Sequence, residues 1–203
     1  GLYKQPVNPI KPLICIDETT KQLVKEVICP IASTPGIPAR HDHEYERNRV
    51  CYLFIFYEPF GGKRYVSVTD HRTRVDRALE IKNLLDYHYP NAEKVILVMD
   101  NQNAHSGASL YEAFPSDEAS RLLDRLEIHY TPKHGSWLNI AEIELRIVST
   151  QCLNRRIPDK KTLKRELATW QKDRNLLKSK IDWRFSVDDA RIKLKCLYPT
   201  LSI

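Results

Sequence analysis

The stretch LVMDNQNAH, residues 97–105, sets an apolar run directly against an aspartate, Asp100, followed by amides and a histidine. A short apolar run that breaks off in this way reads as a buried strand leaving a sheet through a turn. The turn accounts for the amides. It does not account for a carboxylate at the point where the strand leaves the core. Such a residue has a use when other acids reach the same place, and the rest of the chain is read with that in mind.

A second apolar run, PLICIDET at 12–19, carries Asp17 at its end. Residues 50–57, VCYLFIFY, are aromatic and β-branched, and 64–69, RYVSVT, alternate. The two pair as a hairpin across a turn containing Pro59, Gly61 and Gly62. Residues 76–89 carry a helical apolar stripe stopped by Pro90, and 94–99 form the strand that ends at Asp100. Two short helices are expected at 109–114 and 116–126, then a strand at 127–131. A helix from Trp137 toward Cys152 follows, with Ser136 as its cap. Further helices are expected at 160–176 and 187–197, whereas 21–49, rich in Pro, Gly, His and charge, reads as irregular with at most a short strand near 24–28. Strands interleaved with helices predict an α/β fold with a central mixed sheet flanked by helices. No glycine-rich nucleotide-binding motif is present.

The chain has 203 residues, 42% of them apolar, enough for one domain with a real core. No apolar run reaches the roughly 18 residues a membrane span needs. Five widely spaced cysteines without a C-x-x-C pair disfavour a disulfide framework or structural zinc and favour a reducing, cytoplasmic setting. His41, Asp42 and His43 read as a solvated polar loop in preference to a metal site. The net charge of +6 is uneven: residues 151–203 hold 14 Lys and Arg against 6 Asp and Glu. That basic helical part, on a body close to neutral, suits a polyanionic partner or else a solvated helix face.

Were the first and fourth strands parallel neighbours, Asp17 and Asp100 would emerge at one edge of the sheet, where active sites collect in such folds. A third acid is available on the helix after Trp137. Glu142 and Glu144 are two residues apart there, about 200° around the helix, and cannot face the same way. Glu144 sits among Ile140, Ile147 and Val148, on a face where a charge must be paired. Glu142 shares a polar stripe with Asn139 and Arg146, so spacing prefers Glu142. Clustered carboxylates repel one another and stay ionised only around a cation. Their hard oxygens suit Mg²⁺ or Mn²⁺, and a pair of such ions supports phosphodiester chemistry. The competing reading makes the two aspartates strand-end caps and Glu142 a surface residue.

The blocks IDETT (16–20), LVMDNQNAH (97–105) and YTPKHGSWLNIAEIEL (130–145) resemble, in order, the signature blocks of DDE transposases of the mariner-like superfamily, in its bacterial insertion-sequence branch. HDHEYERN, HYPNAEK and ASLYEAFP add to the likeness, which covers nearly the whole chain. It implies a ribonuclease H-like fold and a two-metal site holding Mg²⁺ or Mn²⁺. Asp17, Asp100 and Glu142 would be its catalytic and metal-binding residues. It also implies double-stranded DNA as partner, cut-and-paste transposition at a TA dinucleotide, and a homodimer on paired ends, in a bacterial cytoplasm near the nucleoid.

Asn101, Asn103, His105, His134 and Asn139 are candidates to support the site. Asn139 would orient Glu142 or a metal-bound water. Arg155, Arg156, Lys160 and Lys161 are candidates for DNA phosphate contacts, and Trp137 is read as core. The family's upstream helix-turn-helix modules are expected to be absent, because the chain starts 16 residues before Asp17. The rival functions are a catalytically silent DNA-binding or assembly module and a stand-alone ribonuclease H-like nuclease.

Overall fold

The structure, a computed structural model, describes residues 2–4, 6–28, 31–38, 44–100, 107–132, 135–180 and 182–193. Its centre is a five-stranded sheet in the order β3-β2-β1-β4-β5. The strands are β1 (Leu13–Glu26), β2 (Tyr45–Glu58), β3 (Lys63–Thr69), β4 (Val95–Met99) and β5 (Leu126–Tyr130). β1, β2 and β3 are antiparallel in succession, and β1, β4 and β5 are parallel. This is the mixed sheet expected, and β1 and β4 are the parallel neighbours on which the argument about the two aspartates turned.

Strand alternation builds two cores, one on each face of the sheet. Leu13, Cys15, Leu53, Ile55, Tyr57, Ile96 and Val98 face α4 (Ala141–Val148) and α5 (Lys160–Leu176). Ile14, Ile16, Phe54, Phe56, Val95, Leu97 and Met99 face α1 (Arg74–Asn83), α2 (Ala108–Ala113) and α3 (Ser116–Asp124). α1 starts on a reciprocal cap: Thr73 accepts from the Asp76 amide, and the Asp76 carboxylate accepts from the Thr73 amide. Asp159 caps α5 by accepting from the Thr162 amide at 2.8 Å.

Several expected boundaries are corrected. The strand expected at 12–19 and the short one near 24–28 are a single strand, β1, and β2 begins at Tyr45, not near 50. Beyond Thr20 and before Cys51 these strands pair only with each other, at the margin of the sheet, and most of their residues are half-buried or exposed. With Leu23 the one fully buried side chain among the described residues there, they show no apolar alternation to read. Asp17 is therefore mid-strand. The helix expected at 76–89 is α1 followed by a wider π-type turn, Leu84–His88. The helix expected from Trp137 is a 3-10 turn, Ser136–Leu138, then α4 and a π-type turn, Ser149–Leu153. Ser136 does not cap α4. The Asn139 side chain does so locally, its Oδ1 accepting from the Ala141 amide at 3.2 Å. The last helix, α6, is Val187–Lys193, and the remainder of its expected span lies outside the described residues, as do His41, Asp42 and His43.

Two devices tie α4 and α5 to the sheet. β3 is an edge strand, and α5 covers its outward backbone groups. Gln171 accepts from the Val66 amide at 2.7 Å, and Asn175 both accepts from the Arg64 amide and donates to its carbonyl. Four residues of helix advance about 6 Å and two residues of strand about 6.6 Å, so the helix spacing matches the strand's. Beneath this, Arg64 of β3 makes a two-pronged ion pair with Glu144 of α4 at 2.8 Å on each prong, both side chains 0% exposed. Arg174 of α5 reaches the same carboxylate at 3.3 Å. Glu144 is thus the paired, buried acid that its apolar neighbours required. Replacing Arg64 by Met strands a buried carboxylate and is expected to lower unfolding stability by about 3–5 kcal/mol. Urea unfolding measures this, and Arg165→Met on the exposed side of α5 should change it by less than about 0.5 kcal/mol.

Candidate active site

β4 ends at Met99, whereas β1 runs on to Glu26. The parallel ladder pairs Leu13 with Ile96, Ile14 with Leu97 and Cys15 with Val98. Carried two residues further, the same offset sets Asp17 level with Asp100. Alternation turns Asp17 to the face of Leu13 and Cys15, the face on which α4 packs. Glu142 lies in the first turn of α4, half-buried. A carboxylate there is favoured by the helix dipole.

Asp17 feels the other two acids. Asp17 is held above the ordinary carboxylate range, at about 7, first by burial and then by the negative charges of Asp100, Glu142 and Glu18. The Glu18 amide donates to Asp17 Oδ1 at 2.8 Å, which opposes the shift. Asn139 fixes where Glu142 stands. It is fully buried, and its Nδ2 donates to the Ile16 carbonyl at 2.7 Å, one residue before Asp17. Its own carbonyl accepts from the Glu142 amide at 3.1 Å. One side chain therefore ties the start of the Glu142 helix to the strand carrying Asp17, and Tyr3 adds a bond to the Leu138 carbonyl at 2.9 Å.

The donor set is entirely carboxylate oxygen, the type that suits Mg²⁺ or Mn²⁺. Among the described residues no three His, Cys, Asp or Glu side chains are gathered as a ready metal cage. Asp17 is within electrostatic reach of Asp100 and Glu142, and such carboxylates fit an ion that keeps part of its water shell and takes one or two carboxylates, as Mg²⁺ does.

Asn101, Asn103, His105 and His134 lie outside the described residues. Trp137 is half-buried, edge-on to Phe185 at 4.9 Å. Of the basic candidates, Arg155 pairs with Glu166, Arg156 pairs with Glu26, and Lys160 pairs with Asp70 at 2.7 Å. Lys161 is exposed. Part of the basic excess of residues 151–203 is thus paired within the chain. Sequence reasoning did not pick out Glu18 and Arg77. These form a nearly buried ion pair at 2.6 Å on the opposite side of β1, and with Asp17, Ile16 and Met99 they line a small recess. An acid beside Asp17 was visible as a signal; its partner, 59 residues away, was not.

A raised carboxylate binds its proton more tightly in the folded state. Its stabilising contribution is present below the ordinary value near 4 and is lost as pH rises through about 7. Metal-free Asp17→Asn protein should therefore melt several degrees above the parent at pH 8 and differ little at pH 4. Saturating Mg²⁺ should narrow the gap at pH 8. Differential scanning calorimetry at the two pH values checks this.

Residues 12–164 match the family model of the DDE superfamily endonucleases. No curated protein sequence matches the chain. Among solved structures, the Mos1 strand transfer complex matches with a TM-score of 0.56 at 15% identity, over 80% of this chain and 48% of that one. The Mos1 mariner paired end complex with Mn matches equally well over 84% and 51%, and a pre-cleavage Mos1 transpososome gives 0.55. The chain spans about half the length of the Mos1 chains it matches. The shared fold is ribonuclease H-like, and the chain belongs to the DDE superfamily endonucleases.

Proposed function

We propose that this chain is the catalytic part of a cut-and-paste DNA transposase. The observation that carries this reading is the β1–β4 register, which sets Asp17 level with Asp100 beyond the end of β4, with Asp17 within electrostatic reach of Asp100 and Glu142. The mariner complexes that share the fold add support, one of them a strand transfer complex and another a paired end complex with Mn.

In this reading Asp17, Asp100 and Glu142 hold Mg²⁺ or Mn²⁺, two ions in all. Bound there, the ions supply Lewis acidity to the attacking and departing oxygens of a phosphodiester. The chain's own part is positional. Asn139 and Glu144 fix α4, so that Glu142 stands over the notch between Asp17 and Asp100. Cleavage adds water across a phosphodiester at the element's end, releasing a 3′-hydroxyl and a 5′-phosphate. The 3′-hydroxyl then attacks a phosphodiester of target DNA, at a TA dinucleotide, joining to the phosphate and displacing a target 3′-hydroxyl. Two copies act on paired ends. In this reading exposed basic side chains, Lys161 among them, contact DNA phosphates.

Nicking of supercoiled plasmid in Mn²⁺ tests the reading. The parent chain should nick, and Asp100→Asn and Glu142→Gln, purified identically, should each lose at least about a hundredfold, since a metal ligand supplies several kcal/mol to the transition state. Equal nicking by parent and variants would overturn the assignment.

A further inference from the structure

We propose that Glu18 and Arg77 are positioning residues that set the direction of the Asp17 carboxylate; the inference rests on Asp17 being a metal ligand. It starts from the backbone of β1. The Pro12 carbonyl accepts from the Ile96 amide, so the backbone groups of residue 12 face β4. The two-residue period turns those of Ile14, Ile16 and Glu18 to the same edge. The ladder with β4 stops at Cys15 and Val98. The Ile16 carbonyl and the Glu18 amide are thereby left beyond the last rung, and buried backbone groups require partners. Asn139 Nδ2 takes the Ile16 carbonyl, and Asp17 Oδ1 takes the Glu18 amide.

One oxygen of Asp17 is therefore committed to the peptide that follows it, and the direction of the other depends on how that peptide is held. The Glu18 side chain holds it. Alternation sends that side chain through to the opposite face, where Oε1 accepts from Arg77 at 2.6 Å. The two side chains are only 10% and 4% exposed. Arg77 is anchored in turn by α1, whose first turn is locked by the Thr73–Asp76 cap and whose Ala78 and Ile81 are buried in the core. The chain of restraint runs from α1 through Arg77 and Glu18 to the Glu18 amide and Asp17 Oδ1.

The burial of this pair is informative. Desolvating two charges is expensive, and an apolar pair of similar size often serves stability as well or better. A pair with only a packing role could therefore be exchanged for apolar side chains without consequence for metal binding. A positioning pair could not. Groups that orient metal ligands typically change affinity about 10–100-fold when removed.

The test is direct titration with Mn²⁺, following the loss of the free ion's electron paramagnetic resonance signal. It uses the parent chain, Glu18→Gln, the double variant Glu18→Met/Arg77→Met, and Asp17→Asn as the ligand-removal reference. Cooperative melting identifies folded variants, and if Glu18→Gln fails to fold the double variant is read instead. The expected result is Mn²⁺ binding weakened about tenfold or more in the folded pair variants, with melting temperature maintained in the double variant. In the plasmid assay, raising Mn²⁺ should restore most of their lost nicking but none of that of Asp17→Asn. Unchanged Mn²⁺ affinity in the pair variants, with binding lost in Asp17→Asn, would overturn the positioning role and leave the metal site standing. Unchanged affinity in Asp17→Asn as well would overturn both.

Discussion

The site depends on a difference in strand length. β4 stops at Met99 while its parallel neighbour β1 continues to Glu26. Where the ladder ends, β1 is left with backbone groups that have lost their neighbour, and Asp100 leaves the sheet at the level of Asp17. Buried amides and carbonyls must be satisfied, and the molecule satisfies these two with side chains that serve the proposed site: Asn139 from the turn before α4, and Asp17 itself. The repair of the interrupted sheet thus uses two residues of the proposed site.

Two buried ion pairs flank this notch, one on each face of the sheet. On the α4 face, Glu144 is clamped by Arg64 and Arg174, which fixes the rotation of the helix. Glu142, about 200° away around the same helix, is thereby kept out of the core. On the α1 face, Arg77 holds Glu18, the residue whose amide holds Asp17. Neither pair is an economical route to stability. Between them they constrain β1 and α4, which carry Asp17 and Glu142. Above pH about 7, where Asp17 ionises against burial and the negative charges of Asp100, Glu142 and Glu18, this part of the fold is itself destabilising.

Much of this was legible in the sequence where residues have to satisfy a local pattern. Ile14 to Ile16, Phe54 to Phe56 and Val95 to Met99 are apolar because both faces of the sheet are covered, and those strands were read correctly. The exclusion of Glu144 from the site followed from its apolar neighbours and the helical repeat. The outer halves of β1 and β2 were missed because, paired only with each other and largely exposed, they lack the alternation that marks a strand. The roles of Arg64 and Arg77, and the bond from Asn139 to Ile16, were hidden for another reason: the partners lie 80, 59 and 123 residues away, and only the fold brings them together. Nor did the sequence show that Arg155, Arg156 and Lys160 meet Glu166, Glu26 and Asp70 in the folded chain.

The most direct measurement is the position of Mn²⁺ in crystals of this chain soaked with the ion, located by its anomalous scattering. A peak between Asp17 and Asp100 is expected, with Asp17 binding through the oxygen not committed to the Glu18 amide and with the Asn139–Ile16 bond intact. Mn²⁺ bound only at other acids, with Asp17 and Asp100 left apart, would contradict the view that the end of the β1–β4 ladder is where the metal site is made.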